Sequence, residues 1–294
     1  MPHFSGVYAA LLTPRNSAGD LDLDSFRGQL NAPAASSLTG YAINGATAEF
    51  TFSTEDELNR ILAATREAAP AAELLAGIGA CDVRGAVARG RIAAQAGAAA
   101  VLLPMPSFFP YRQDDLAAFS TAVADALTIP VLLYNLPQFT TGLDPQTTLD
   151  LIRDHANIIG VKDSSGSLDT VQLITGSKLA CARIIGNDGA LAAALEQGLC
   201  DGVVSGVACT LPELITALFA AAPGTGDFAH HQQLLDEFIA QLGTLPTPWG
   251  LKVTSSVRGF TRESYPFPLS PQRMQETAQL RTWFKEWLGS NVKH

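Results

Sequence analysis

Two residues that close apolar runs carry side chains suited to carbonyl chemistry: Lys162 ends IIGVK and Tyr134 ends PVLLY. An amine at the end of a buried strand is drawn into a poorly hydrated interior. Desolvation there disfavours the ammonium and frees the lone pair to attack a carbonyl carbon. Adjacent strands lie roughly 5 Å apart, so a phenol on the next strand can reach such an amine as general acid and base. A small-residue turn, Gly45-Ala46-Thr47, follows another run. Successive N–H groups in a turn of this kind cradle a carboxylate, and the Thr47 hydroxyl adds a donor. Singly, each has a plainer interpretation: a lysine snorkelling to solvent, a core tyrosine, a tight turn.

Other chemistries fit less well. His3, His155, His230, His231 and His294 are scattered or terminal, and Cys81, Cys181, Cys200 and Cys209 have no CxxC pairing. No metal is expected. There is no nucleophile elbow, P-loop or GxGxxG, and no cofactor is expected.

The elements that must hold these residues are legible as eight short apolar runs: Val7–Leu12, Gly40–Ile43, Leu74–Ile78, Ala98–Leu103, Pro130–Tyr134, Ile158–Lys162, Ala182–Ile185 and Gly202–Ser205. They are continuous rather than alternating in hydrophobicity, as strands buried on both faces of a parallel sheet are. Helical segments separate them. Thr54 and Glu57 have capping-box spacing, Asp144-Pro145 and Ser270-Pro271 mark helix starts, and Gly97 and Gly198 mark helix ends. Eight such βα steps predict an α/β fold, a closed (β/α)8 TIM barrel, with an open doubly wound sheet as the alternative. Residues 1–210 hold the barrel strands. Residues 211–294 are expected to supply the last barrel helix and a C-terminal helical region of the same domain, from LPELITALFAAA, FAHHQQLLDEFIAQL and SPQRMQETAQLRTWFKEWL.

The chain has 294 residues, 47% of them apolar and 16% charged, with a net charge of -9. That balance supports a large core and argues against a nucleic-acid surface. No run approaches the ~20 apolar residues of a membrane span. The N-terminus lacks the form of a signal peptide, and a cytoplasmic protein is expected.

With these motifs in order, the sequence resembles the dihydrodipicolinate synthase / N-acetylneuraminate lyase family of pyruvate-dependent class I aldolases. The matching segments are AALLTP (Ala9–Pro14), NGATAEF (Asn44–Phe50), PVLLYNLP (Pro130–Pro137), GVKDSSG (Gly160–Gly166) and DGVVSG (Asp201–Gly206), and the likeness extends from about Gly6 to at least Thr210. The resemblance implies that Lys162 forms the Schiff base and that Tyr134 donates and accepts protons. It implies that Gly45, Ala46 and Thr47 hold the carboxylate of a small 2-oxo acid substrate, with Val204 contacting bound pyruvate through its backbone. Gly186 and Asp188 fall where lyases of the family recognise substrate hydroxyls. A homotetramer, built as a dimer of dimers, is implied as well.

The departures from the family pattern carry information about substrate. Thr or Ser is usual where Ala46 stands, and a tyrosine lent by the neighbouring subunit where Phe108 stands. The synthases carry a substrate-carboxylate arginine after YN-P, whereas this chain reads Gln138-Phe139-Thr140. The expectation is a lyase cleaving or forming a 2-keto-3-deoxy sugar acid or related 4-hydroxy-2-oxo acid. A dehydratase or hydratase-aldolase, dihydrodipicolinate synthase, and a non-catalytic 2-oxo acid binding homologue remain the alternatives.

Overall fold

A computed structural model describes residues 4–292 apart from 33, 34, 36 and 244; His3 and His294 lie outside the described residues. The eight apolar runs form parallel strands β1 (Gly6–Ala10), β2 (Gly40–Ile43), β3 (Glu73–Gly77), β4 (Ala100–Pro104), β5 (Val131–Asn135), β6 (Ile158–Asp163), β7 (Ala182–Ile185) and β8 (Gly202–Ser205). They pair in sequence order and close into a barrel, β8 returning to β1. A helix follows each strand: α1 (Leu23–Leu30), α2 (Glu55–Ala68), α3 (Val83–Gln95), α4 (Gln113–Asp125), α5 (Pro145–Asp154), α6 (Asp169–Ser177), α7 (Leu191–Glu196) and α8 (Pro212–Ala220).

The continuous hydrophobicity of the strands has a direct cause in this arrangement. Tyr8, Ala10, Leu102, Leu132, Ile184 and Val204 point into the barrel. Val7, Ala9, Val101, Leu103, Leu133 and Val203 point out against the helices. Both faces of each strand are therefore covered, and both must be apolar.

One irregularity decides where the lysine points. Val131 pairs with Ile158 but Leu132 pairs with Gly160, so β6 carries one extra residue against β5. Ile158 packs in the outer layer and Ile159 in the inner, yet Val161 is outward again. Without the bulge, strict alternation from Ile158 would turn Lys162 outward. With it, Lys162 stands inside the barrel directly opposite Tyr134. The bulge needs glycine: a β-carbon on Gly160, at φ 157, would lie 2.7 Å from Ala182 N and closer still to its carbonyl oxygen.

The helix signals in the sequence have structural counterparts. Thr54 and Glu57 form a reciprocal capping box, Ser270 accepts from the Arg273 N–H, and Gly97 and Gly198 have φ of 71 and 64 just past their helices. Asp144 precedes Pro145 at the start of α5 but makes no side-chain cap hydrogen bond. After α8 come α9 (Gly226–Leu242), α10 (Trp249–Val257) and α11 (Pro271–Asn291). The sequence reading had no helix at α10. Every residue from Trp249 to Ser255 is buried, Lys252, Thr254 and Ser255 included; α10 is short, and its polar residues mark no solvent face. One continuous apolar core runs from Val7 through Phe238 to Trp287, across the divide near residue 210.

Candidate active site

A cavity of about 380 Å³ opens at the C-terminal ends of the strands, the end at which barrels of this kind place their working groups. Ala10, Tyr134, Lys162 and Val204 form its floor, and Ala46, Thr47, Gly186 and Asp188 line its wall. Gly45 is buried behind the wall and does not line it.

Lys162 is only 3% exposed. Its Nζ makes no hydrogen bond or ion pair among the described residues and stands 3.8 Å above the centre of the Tyr134 ring. The contrast with Lys252, the other buried lysine among the described residues, is informative. Lys252 Nζ donates to Glu49 Oε2 at 2.5 Å and to the Ser264 carbonyl at 2.6 Å. A buried structural ammonium is normally matched in this way. Lys162 is not.

Room for the Lys162 side chain comes from Gly186. A β-carbon there would lie 2.6 Å from Lys162 Cε and 3.1 Å from Cγ, and would overlap the Ser164 hydroxyl. Below it, Asp163 is buried, accepting from the Ser165 N–H at 2.8 Å and from Asn135 Nδ2 at 3.4 Å.

The turn after β2 folds back on itself. The N–H groups of Ala48 and Phe50 donate to the Gly45 carbonyl, and that of Glu49 donates to Ala46. The N–H groups of Ala46 and Thr47 and the Thr47 hydroxyl have no partner among the described residues. Unpaired amides at a buried wall are places for a ligand acceptor.

Asp188 faces the same cavity, but its oxygens are already engaged. Oδ1 accepts from the Ser205 hydroxyl, and Oδ2 from the Val207 N–H at 3.1 Å. Burial pushes its carboxyl above the usual aspartate value, against the pull of these donors and of the nearby Lys162 charge. Its first job is thus to fix the turn after β8, with only residual acceptor capacity toward a ligand.

Several lining residues were not singled out from sequence. Ser164 Oγ is buried without a partner, and a serine beside a candidate lysine is the signal that could have found it. Leu242 and Gly243, the Leu245–Pro248 segment, and Gly250 and Leu251 of α10 close the cavity from the C-terminal region. The Pro-Thr-Pro sequence between two helices was their only mark. Among the described residues, Lys162 is the single cationic side chain lining the cavity, and no cluster of His, Cys, Asp and Glu could hold a metal. No helix among them is long and apolar enough to cross a membrane.

Comparison with known proteins agrees with the barrel fold. A 4-hydroxy-tetrahydrodipicolinate synthase from Macrococcus caseolyticus is 30% identical over 283 residues, 95% of this chain and 94% of its own. An L-threo-3-deoxy-hexylosonate aldolase from Hypocrea jecorina is 36% identical over 188 residues, 59% of each chain. A prophage protein of the dihydrodipicolinic acid synthase family from E. coli K12, solved with pyruvate, superimposes with a TM-score of 0.86 at 25% identity, covering 97% of this chain and 98% of its own. The Dihydrodipicolinate synthetase family matches residues 3–286. With strand order and alignment in accord over nearly the whole length, the chain is a lyase belonging to the dihydrodipicolinate synthetase family.

Proposed function

We propose that the protein is a Schiff-base aldolase that cleaves or forms a 2-keto-3-deoxy sugar acid, or a related 4-hydroxy-2-oxo acid, with pyruvate as one product. The observation that carries this is the unpaired, buried Lys162 amine above Tyr134. The substrate carboxylate docks on the N–H groups of Ala46 and Thr47 and on the Thr47 hydroxyl, with Val204 beneath it. The Lys162 amine attacks the carbonyl carbon through its lone pair, and the carbinolamine loses water as Tyr134 supplies a proton to the departing oxygen. Tyr134 then takes the proton of the C4 hydroxyl. The C3–C4 bond breaks, its electron pair passes into the iminium, and an aldehyde leaves. Protonation of the enamine and addition of water release pyruvate and restore the amine.

The choice of branch rests on the missing second cation. An aldehyde with its own carboxylate, such as aspartate semialdehyde, would meet Phe139 and Gln138 rather than a bidentate arginine. The Gln138 amide is committed to the Ser164 and Ser165 carbonyls. Losing one charge-assisted hydrogen bond costs roughly 1.5–3 kcal/mol, or one to two orders of magnitude in kcat/KM. The 3-deoxy-hexylosonate aldolase relative supports the sugar-acid branch. The synthase relatives favour the second reading, dihydrodipicolinate synthesis. A homotetramer in the cytoplasm is proposed as assembly and setting. The exposed Phe108 (89%) and Phe109, held edge to face on a segment where Phe108 has φ 83, support self-association.

The test is a coupled assay of both reactions on one preparation. At least one 2-keto-3-deoxy sugar acid should release pyruvate, and semialdehyde condensation should be slower by kcat/KM. Loss of water without pyruvate would mark a dehydratase. A better rate with the semialdehyde would restore the synthase.

A further inference from the structure

The carboxylate turn is fastened from behind by a charge pair that never touches the cavity. Glu49 closes the turn in the left-handed region, at φ 54 and ψ 49, a conformation that non-glycine residues adopt only when their surroundings hold them there. Its carboxylate is gripped by Lys252 of α10, 203 residues away in sequence, at 2.5 Å. The Lys252 ammonium is fixed in turn by the Ser264 carbonyl and lies 5.5 Å from the centre of the Tyr265 ring. Both side chains are nearly buried, at 4% and 14% exposure, and neither lines the cavity.

The consequences run through the backbone. Three hydrogen bonds within Gly45–Phe50 pair the Ala48, Glu49 and Phe50 amides and leave those of Ala46 and Thr47 without a partner among the described residues, and one of the three comes from the Glu49 N–H itself. Moving Glu49 out of the left-handed region would reorient its peptide and with it those two amides. The pairing also cancels a carboxylate that would otherwise repel an anion bound a few residues away. The same helix sends Gly250 and Leu251 to the cavity wall, so the pair ties the turn to an element that also shapes the cavity.

We propose that the Lys252–Glu49 pair is a positioning device for the anion cradle. It acts through Ala46 and Thr47 and sets affinity for the carboxylate of the 2-oxo acid, without taking part in bond making. This rests on the reading that the turn binds that carboxylate and that Lys162 forms the imine.

The test uses the full chain carrying Glu49→Gln together with Lys252→Met. Removing both partners leaves no unpaired buried charge, so the double variant should fold where single ones suffer. Borohydride trapping, read by intact mass, gives the half-saturating concentration of pyruvate and of pyruvamide, which has the ketone but no carboxylate charge. The expected result is at least a fivefold rise for pyruvate and less than a twofold change for pyruvamide. The maximal adduct at Lys162 should be unchanged. A purely structural pair would lower thermal stability and leave both concentrations alone. If the double variant does not fold, Glu49→Gln alone is held to the same criteria. A rise for pyruvate below fivefold, or an equal rise for pyruvamide, overturns the pair's role while leaving the imine intact. A wild-type chain that gives no adduct overturns both.

Discussion

Substituting Gly186 by alanine should disable the lysine while sparing the fold. The added β-carbon would sit 2.6 Å from Lys162 Cε. Restoring an ordinary 3.4 Å contact displaces the side chain by about 0.8 Å, and misplacement on the order of 1 Å costs about 100-fold in rate. That corresponds to about 2.7 kcal/mol of barrier. The Ser164 hydroxyl is also overlapped, but it can rotate about one bond; the lysine cannot yield without moving its amine. Gly186 does not have positive φ, so alanine adds no backbone strain. It recovers roughly 0.4–1 kcal/mol of unfolded-state entropy against about 1–3 kcal/mol of overpacking. The fall in Tm should be only a few degrees. The assay is the single-turnover rate of borohydride-trappable adduct with pyruvate, alongside a thermal melt. A variant that melts near the wild-type temperature and forms adduct within threefold of its rate would refute the reasoning.

Three further outcomes follow from particular contacts. Gly160→Ala drives a β-carbon into the Ala182 backbone and should destabilise by about 3 kcal/mol or more, measured by urea unfolding; a loss below about 1 kcal/mol would mean the bulge tolerates a side chain. Asp188 is raised above its ordinary 3.8 by burial, so the folded chain keeps a proton that the unfolded chain has released. Its contribution is therefore fully present below 3.8 and lost as pH rises through the folded value. Relative to Asp188→Asn, wild-type stability should fall as pH rises above the ordinary aspartate range; a flat difference would contradict this. Phe108→Asp removes an exposed aromatic worth roughly 1.5–3 kcal/mol per copy when buried between subunits, and should shift sedimentation toward smaller species. Unchanged sedimentation would remove Phe108 from the interface.

Much of the fold and of the candidate site was legible in the sequence because the candidate residues sit where strands stop. Lys162, Tyr134 and Thr47 are polar residues at the ends of apolar runs, and a closed parallel barrel gathers all such ends at one rim. Lys162 was expected to point inward and does, but the cause was not legible. IIGVK is apolar on both faces, so hydrophobicity carries no parity, and only the extra residue opposite β5 turns the amine inward. Helix α10 was hidden for a related reason: it is short and buried along Trp249–Ser255, so its polar residues mark no solvent face. With it went the Gly250–Leu251 wall and the role of Lys252, whose partner Glu49 lies in a turn read for its small residues. Asp188 was visible as a polar group near the site. That Ser205 and Val207 already occupy its oxygens depends on a contact between two strand ends, which spacing alone does not encode.

The central claim is that the Lys162 amine forms the imine. The most direct test is peptide mapping after borohydride reduction in the presence of pyruvate. A reduced pyruvyl adduct should appear on one peptide, the one containing Lys162, and should vanish in Lys162→Arg, whose guanidinium stays protonated. An adduct on Lys252 or any other lysine, or one that survives in Lys162→Arg, would contradict the account.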